Sequence, residues 1–265
     1  MNAILQVATG VLLAIPAVIS TQAASPPALP PVETVLERVL EQAKLEAEHE
    51  RAFKEHYAYE RTKVTEFRNS RGALKRRDER TSSKNPLVVK SATNRQREKR
   101  SADPDEDVPA GGAVTDTHTN VRGKVFEESD FPLRDDLLKR FVFTLAGREI
   151  LNGRPALIVD FKPAPGKLPE RNLKDRFLNK AAGRVWVDEA DYNLPRARLY
   201  LSEHVNVVGG LVGAVWKFTY NFDRERTPDG IWYTRTVDWH LEGREVFLKR
   251  IVDFHDERTE VRRVK

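Results

Sequence analysis

The chain has 265 residues, enough for one large domain or two small ones, and 40% of them are hydrophobic, including four Trp and twelve Phe, so a sizeable core can form. Charged residues make up 32% but nearly cancel to a net +5, which excludes a wholly disordered chain and gives only weak grounds for a nucleic-acid partner. The absence of Cys excludes disulfides, thiolate metal sites, thiol catalysis and an acylated lipoprotein cysteine.

In chain order, Ile4 to Ser20 form an uncharged apolar run, interrupted by Gln6, Thr9, Gly10 and Pro16 and too short for a comfortable membrane span. Thr21-Gln22-Ala23 then offers small residues at the spacing that signal peptidase requires, so residues 1–23 read as a secretory signal peptide. No Lys or Arg precedes the run, and the alternative is an uncleaved N-terminal segment that anchors the protein to the membrane. Export would place the mature protein in the periplasm. Residues 24–32 hold four prolines and read as an extended spacer. Val35, Leu36, Val39, Leu40, Ala43 and Leu45 recur at helical spacing through a run rich in Glu, Lys and Ala, so 33–56 read as one amphipathic helix. Its apolar stripe lasts about three heptads, which favours packing on a sheet over a coiled coil.

From Tyr57 the period changes to two, and Arg71-Gly72 turns the chain toward Leu74 to Thr81, a first hairpin. The pattern vanishes over about 82–117, where a charged run and a Pro- and Gly-containing stretch predict a mobile insertion. Beyond it, strands are expected at Phe141 to Ile150, Ala156 to Lys162, Gly183 to Asp188, Arg196 to Val205, Val215 to Asp223, Ile231 to Leu241 and Arg244 to Phe254. Short helices are expected at Leu133 to Arg140 and Glu170 to Ala181. Asn152-Gly153, Pro228-Asp229-Gly230 and Glu242-Gly243 read as tight turns, which make the strands they join antiparallel. Phe141/Phe143/Leu145, Leu157/Val159/Phe161 and Trp216/Phe218/Tyr220/Phe222 each repeat every second residue against polar neighbours, the mark of a sheet with one wet face and one buried face. The β domain is bounded at 57–258, with a basic tail at 259–265. With few helices to cover so many strands, the sheet is expected to curl on itself.

The run Ile150-Leu151-Asn152-Gly153-Arg154-Pro155-Ala156-Leu157-Ile158-Val159-Asp160-Phe161-Lys162-Pro163, the segment Leu178 to Asp188, and the turns Asp229-Gly230-Ile231-Trp232 and Glu242-Gly243-Arg244 resemble bacterial proteins related to the outer-membrane lipoprotein-sorting family, the LolA/LolB-like superfamily. The likeness extends from about Tyr57 to about Arg258, with the insertion outside it. It implies a mainly β (α+β) fold, a curved antiparallel half-barrel of about eleven strands. The N-terminal helix and short plugging helices would close its mouth, and its apolar cavity would hold acyl chains. No individual residue's role is carried over from the family.

Chemical signatures are few. His49 and His56 lie seven apart on the predicted helix, a spacing that does not suit a metal site, and His204 and His240 fall on the polar parity of their strands. Acidic pairs such as Asp135-Asp136 and Asp188-Glu189 read as solvated turn residues, and no nucleophile elbow, phosphate loop or dinucleotide fingerprint occurs, so neither an enzyme nor a cofactor is expected. Arg68 to Arg100 carries twelve basic residues against three acidic ones with few aromatics between them. Arg76, Arg77, Arg97, Lys99 and Arg100 are therefore candidate contacts to an anionic membrane surface, and a plain solvated linker is the other reading. Phe143, Phe161, Leu199, Trp216, Phe218, Tyr233 and Trp239 are candidate cavity residues, although an ordinary filled core would use the same side chains. The leading expectation is a periplasmic module that buries the acyl chains of a lipid or lipoprotein, with a possible sorting or carrier role. The alternative is a non-catalytic envelope scaffold that binds a protein partner through its helix and basic insertion.

Overall fold

The structure, a computed structural model, describes residues 28–88, 135–207, 213–245 and 248–264. The expected signal peptide, residues 24–27 of the spacer and residues 89–117 of the insertion lie outside these residues.

The single helix expected at 33–56 is two helices, α1 (Val32–Ala43) and α2 (Glu46–His56), joined at Lys44-Leu45. Neither Gly nor Pro marks the joint; the helices separate because they pack on different walls. Val35 and Val39 of α1 are buried against Leu157, Val159 and Val187, whereas Phe53 of α2 is fully buried among Tyr57, Tyr59 and Tyr233.

The strands are β1 (Tyr57–Arg68), β2 (Leu74–Lys84), β3 (Phe141–Leu151), β4 (Arg154–Pro163), β5 (Ala181–Asp188), β6 (Arg196–Leu201), β7 (Val205–Val207), β8 (Gly213–Arg226), β9 (Trp232–Glu245) and β10 (Leu248–Arg263). Two short helices, α3 (Asp135–Leu138) and α4 (Leu173–Leu178), precede β3 and β5. Ten strands form one sheet in the order β2-β1-β10-β9-β8-β6-β5-β4-β3, with β7 added to β8, and every pairing is antiparallel. The first long strand pairs with the last, Tyr57 opposite Arg263, so residues 259–263 complete β10 and are not a tail. Among the described residues β2 and β3 are the open edges, and the sheet is a half-barrel, not a closed one.

The turn chemistry explains much of this path. Asn152 and Gly153 both hold left-handed φ, 51° and 78°, as a two-residue hairpin requires. Glu242-Gly243 is not a turn: β9 runs on to Glu245, and Gly243 serves a different purpose within the strand. A Cβ there would stand 2.5 Å from the Ala214 carbonyl oxygen, so glycine permits the close approach of β8. The strand expected at Arg196 to Val205 is broken into β6 and β7 by Ser202 to His204.

The wet face is laced by cross-strand ion pairs. Arg184 meets Asp160 at 2.6 Å, Arg198 meets Asp223 at 2.6 Å and Arg68 meets Asp253 at 2.8 Å. His240 sits between Asp253 at 2.6 Å and Glu242 at 3.1 Å. Such half-exposed pairs contribute little each, but they place opposite charges directly across the ladder and penalise a slipped register.

An apolar cavity under the first helix

The apolar side of the half-barrel encloses a cavity of about 160 Å³ between α1, α3, α4 and strands β3 to β6 and β8. Three local devices close it. The first is α1 itself, which lays Leu36, Val39 and Leu40 along the opening.

The second is the loop between β5 and β6. Asp188 is 2% exposed; its Oδ1 accepts the backbone N–H of Ala190 at 2.9 Å and of Asp191 at 3.2 Å, while its carboxylate pairs with Arg154. Burial alone would raise the Asp188 pKa, but these hydrogen bonds outweigh it and hold the carboxyl below its ordinary value. The tightened loop carries Tyr192, at φ 58°, and Leu194 into the cavity wall. Asp188, expected as a solvated turn residue, is thus a buried structural anchor.

The third is a brace at the other end. Arg140, 7% exposed, donates to Asp175 at 2.9 Å and to the Pro169 carbonyl at 3.0 Å, tying α3 to α4. Asn172 caps α4 by accepting the Asp175 N–H at 2.9 Å, and the helix then presents Phe177 to the cavity, edge-on to Phe218 at 6.0 Å.

Of the seven aromatic and aliphatic candidates, Phe143, Phe161, Leu199 and Phe218 line this cavity. The other three are elsewhere. Trp216 is 45% exposed, because a bulge between Val215 and Lys217 breaks the alternation and turns Val215 inward in its place. Tyr233 belongs to the cluster under α2, stacked on Phe53 at 4.4 Å. Trp239 fills the core between β9 and β10, stacked on Phe254 at 5.3 Å.

One end of the cavity is polar, and no cavity candidate read from the sequence lies there. Arg224 lines it, 8% exposed, 5.2 Å from the Phe222 ring and in ion contact with Glu46 at the start of α2. Burial, with repulsion from Arg258, pushes the guanidinium down to about 9, so it remains a cation at neutral pH. The signal was present in the alternation: Phe218, Tyr220, Phe222 and Arg224 share one parity, and ending the strand at Asp223 hid the last of them. One turn along α2, Glu50 pairs with Arg258 at 2.9 Å, so two glutamates latch the helix to two largely buried arginines.

The basic candidates Arg76 and Arg77 lie on edge strand β2 and are engaged. Arg76 pairs with Asp78 at 2.7 Å and sits over the Phe67 ring at 4.1 Å, and Arg77 bridges Glu66 at 3.0 Å and Glu79 at 2.9 Å. Arg97, Lys99 and Arg100 lie outside the described residues. Among the described residues no three His, Asp or Glu side chains stand together as a metal site, and no helix is long and apolar enough to cross a membrane.

No protein-family profile and no curated protein sequence matches the chain. Solved structures do. The chain is similar to a Vibrio parahaemolyticus domain described as outer membrane lipoprotein-sorting, at 12% identity over 86% of this chain and 93% of that one, with a TM-score of 0.33. It is also similar to a DUF1329 family protein from Desulfovibrio piger, at 14% identity over 89% and 94% of the two chains, TM-score 0.33. A third is a chain of the Pseudomonas aeruginosa MucA/MucB complex, at 11% identity over 84% and 99% of the two chains, TM-score 0.21. The fold class stands on this chain's own open antiparallel sheet.

Proposed function

We propose that the protein is a periplasmic binding module that takes the acyl part of a lipid or lipoprotein into the half-barrel, with α1 as the movable cover. The observation that supports this is the cavity: nearly all its wall is aliphatic or aromatic, and side chains do not fill it. Its size decides how it would work. A cavity of about 150 Å³ holds a benzene-sized group, and pockets for larger ligands run from roughly 300 Å³ upward. An acyl chain therefore enters only if α1 gives way.

The energies allow it. Burying Val35 and Val39 stabilises α1 on the sheet by roughly 3–6 kcal/mol together, whereas a ten-carbon stretch in the same space contributes about 8 kcal/mol before ordering costs. Binding by burial needs no covalent step, and none of the cavity residues forms a nucleophile and base pair.

The scaffold alternative binds its partner through the helix and the basic insertion, and an apolar face on α1 and α2 would be its natural contact. That face is already spent on the sheet through Val35, Val39 and Phe53, so the cavity reading is preferred. Native mass spectrometry of protein purified from the periplasm without detergent, followed by lipid extraction, tests it. One acyl species per chain is expected. A clean apo mass that ignores added phospholipid and fatty acid refutes the reading.

A further inference from the structure

The polar end of the cavity poses a question that acyl burial does not answer. An arginine in an apolar wall is costly to desolvate and is retained only with a counter-ion. Here the partnership is asymmetric: the Arg224 side chain is 10% exposed, whereas that of Glu46 is 41% exposed and reaches in from the first residue of α2. Glu46 can return to water at little cost. Arg224 cannot.

We propose that Arg224 is the head-group site for a singly charged carboxylate amphiphile of the fatty-acid type, which takes the place of Glu46. The proposal rests on the acyl-binding reading above. Exchange of one carboxylate for another leaves Arg224 paired throughout, so its desolvation is not met a second time. Three features fit the exchange. Arg224 lines the cavity together with Phe222, Phe218 and Leu199, so a head group on the guanidinium sends its tail along the apolar wall. Gln42 and Asn193 line the same cavity and add polar atoms to a mostly apolar wall. Glu46 also opens α2 directly after the α1–α2 joint, so its release frees the end of the cover that must move. Head-group capture and opening of the cavity are then one event, while Glu50 on Arg258 keeps the rest of α2 in place.

The test is calorimetric titration of the full chain at pH 7 with decanoate and with 1-decanol, below their aggregation limits. The wild-type protein is expected to prefer the acid by about tenfold or more, since a charge-assisted hydrogen bond replaces a neutral one. Glu46→Gln removes the internal competitor and is expected to widen that preference severalfold. Arg224→Met is expected to abolish it while the alcohol still binds. Equal binding of acid and alcohol by the wild type, or a preference that survives Arg224→Met, overturns the head-group site and leaves acyl binding standing. Absence of binding by either probe overturns both. Should Arg224→Met fail to fold, the wild-type comparison and Glu46→Gln decide the matter between them.

Discussion

Single side chains in this protein differ sharply in what they support, and burial separates them. Phe53 is fully enclosed, stacked on Tyr57 at 5.3 Å and Tyr233 at 4.4 Å, with Arg258 5.6 Å from its ring. Phe53→Ala is expected to cost about 3–5 kcal/mol in denaturant unfolding, because the cage around it cannot collapse onto alanine. Trp216, larger still and a cavity candidate in the sequence, stands on a bulge with nearly half its surface in water. Trp216→Ala is expected to change stability by no more than about 0.5 kcal/mol and to leave acyl binding unaltered, and a large loss of either would place the residue at the site after all. Alternation identified Phe143, Phe161, Leu199 and Phe218 correctly as inward residues; it misplaced Trp216 because one inserted residue reverses every parity on its side of the bulge.

At the level of elements, α1 and α2 are held by different means, and this separates cover from frame. α1 rests on apolar contact, chiefly through Val35 and Val39, while α2 adds two Arg–Glu latches to its aromatic anchor. Val35→Asp buries a carboxylate with no partner in the Leu157–Val187 cluster and is expected to detach α1 without unfolding the sheet. Hydrogen exchange should then accelerate over residues 32–43 and remain slow over 46–56, and a dye that reports exposed apolar surface should bind more strongly. Equal acceleration in both helices would show that they move as one. Helical periodicity predicted both as a single element, since Ala43-Lys44-Leu45-Glu46 contains no breaker and the joint exists only because two walls of the sheet pull in different directions. Gly243 teaches a related lesson: a glycine after an acidic residue has the composition of a turn, yet here it admits a neighbouring backbone.

For the molecule as a whole, the balance between the two faces of the sheet sets the pH response. Asp160, Asp188, Asp229, Glu242 and Asp253 all have pKa values held below their ordinary ones, Asp160 chiefly by its Arg184 hydrogen bond and Glu242 chiefly by His240. A carboxyl whose pKa is lower folded than unfolded contributes stability that is complete above its unfolded value, here 3.8 for Asp and 4.5 for Glu, and that is lost as pH falls through the folded value. The thermal midpoint should therefore hold steady, as far as these groups are concerned, from neutral pH down to about 5 and drop steeply below about 4. Added salt should weaken the exposed pairs far more than Asp188, which is buried beside its loop amides. A midpoint unchanged at pH 3 would mean that these carboxylates are not paired in solution.

What the amino-acid sequence determined by itself was the local grammar. Period-two alternation set out most of the strands and their two faces, Asn152-Gly153 and Pro228-Asp229-Gly230 set antiparallel neighbours, and the shortage of helices implied a curled sheet with an apolar side. Each of these follows from backbone sterics and from the pleat, which act between residues close in the chain. The tertiary structure alone decided that the first strand pairs with the last, that the long helix breaks in two, and that Asp188 is an anchor. It alone brought Glu46 to Arg224 at the end of a cavity that side chains leave partly empty. Those outcomes depend on packing and desolvation between segments remote in sequence, and no local pattern encodes how much space remains when such segments meet.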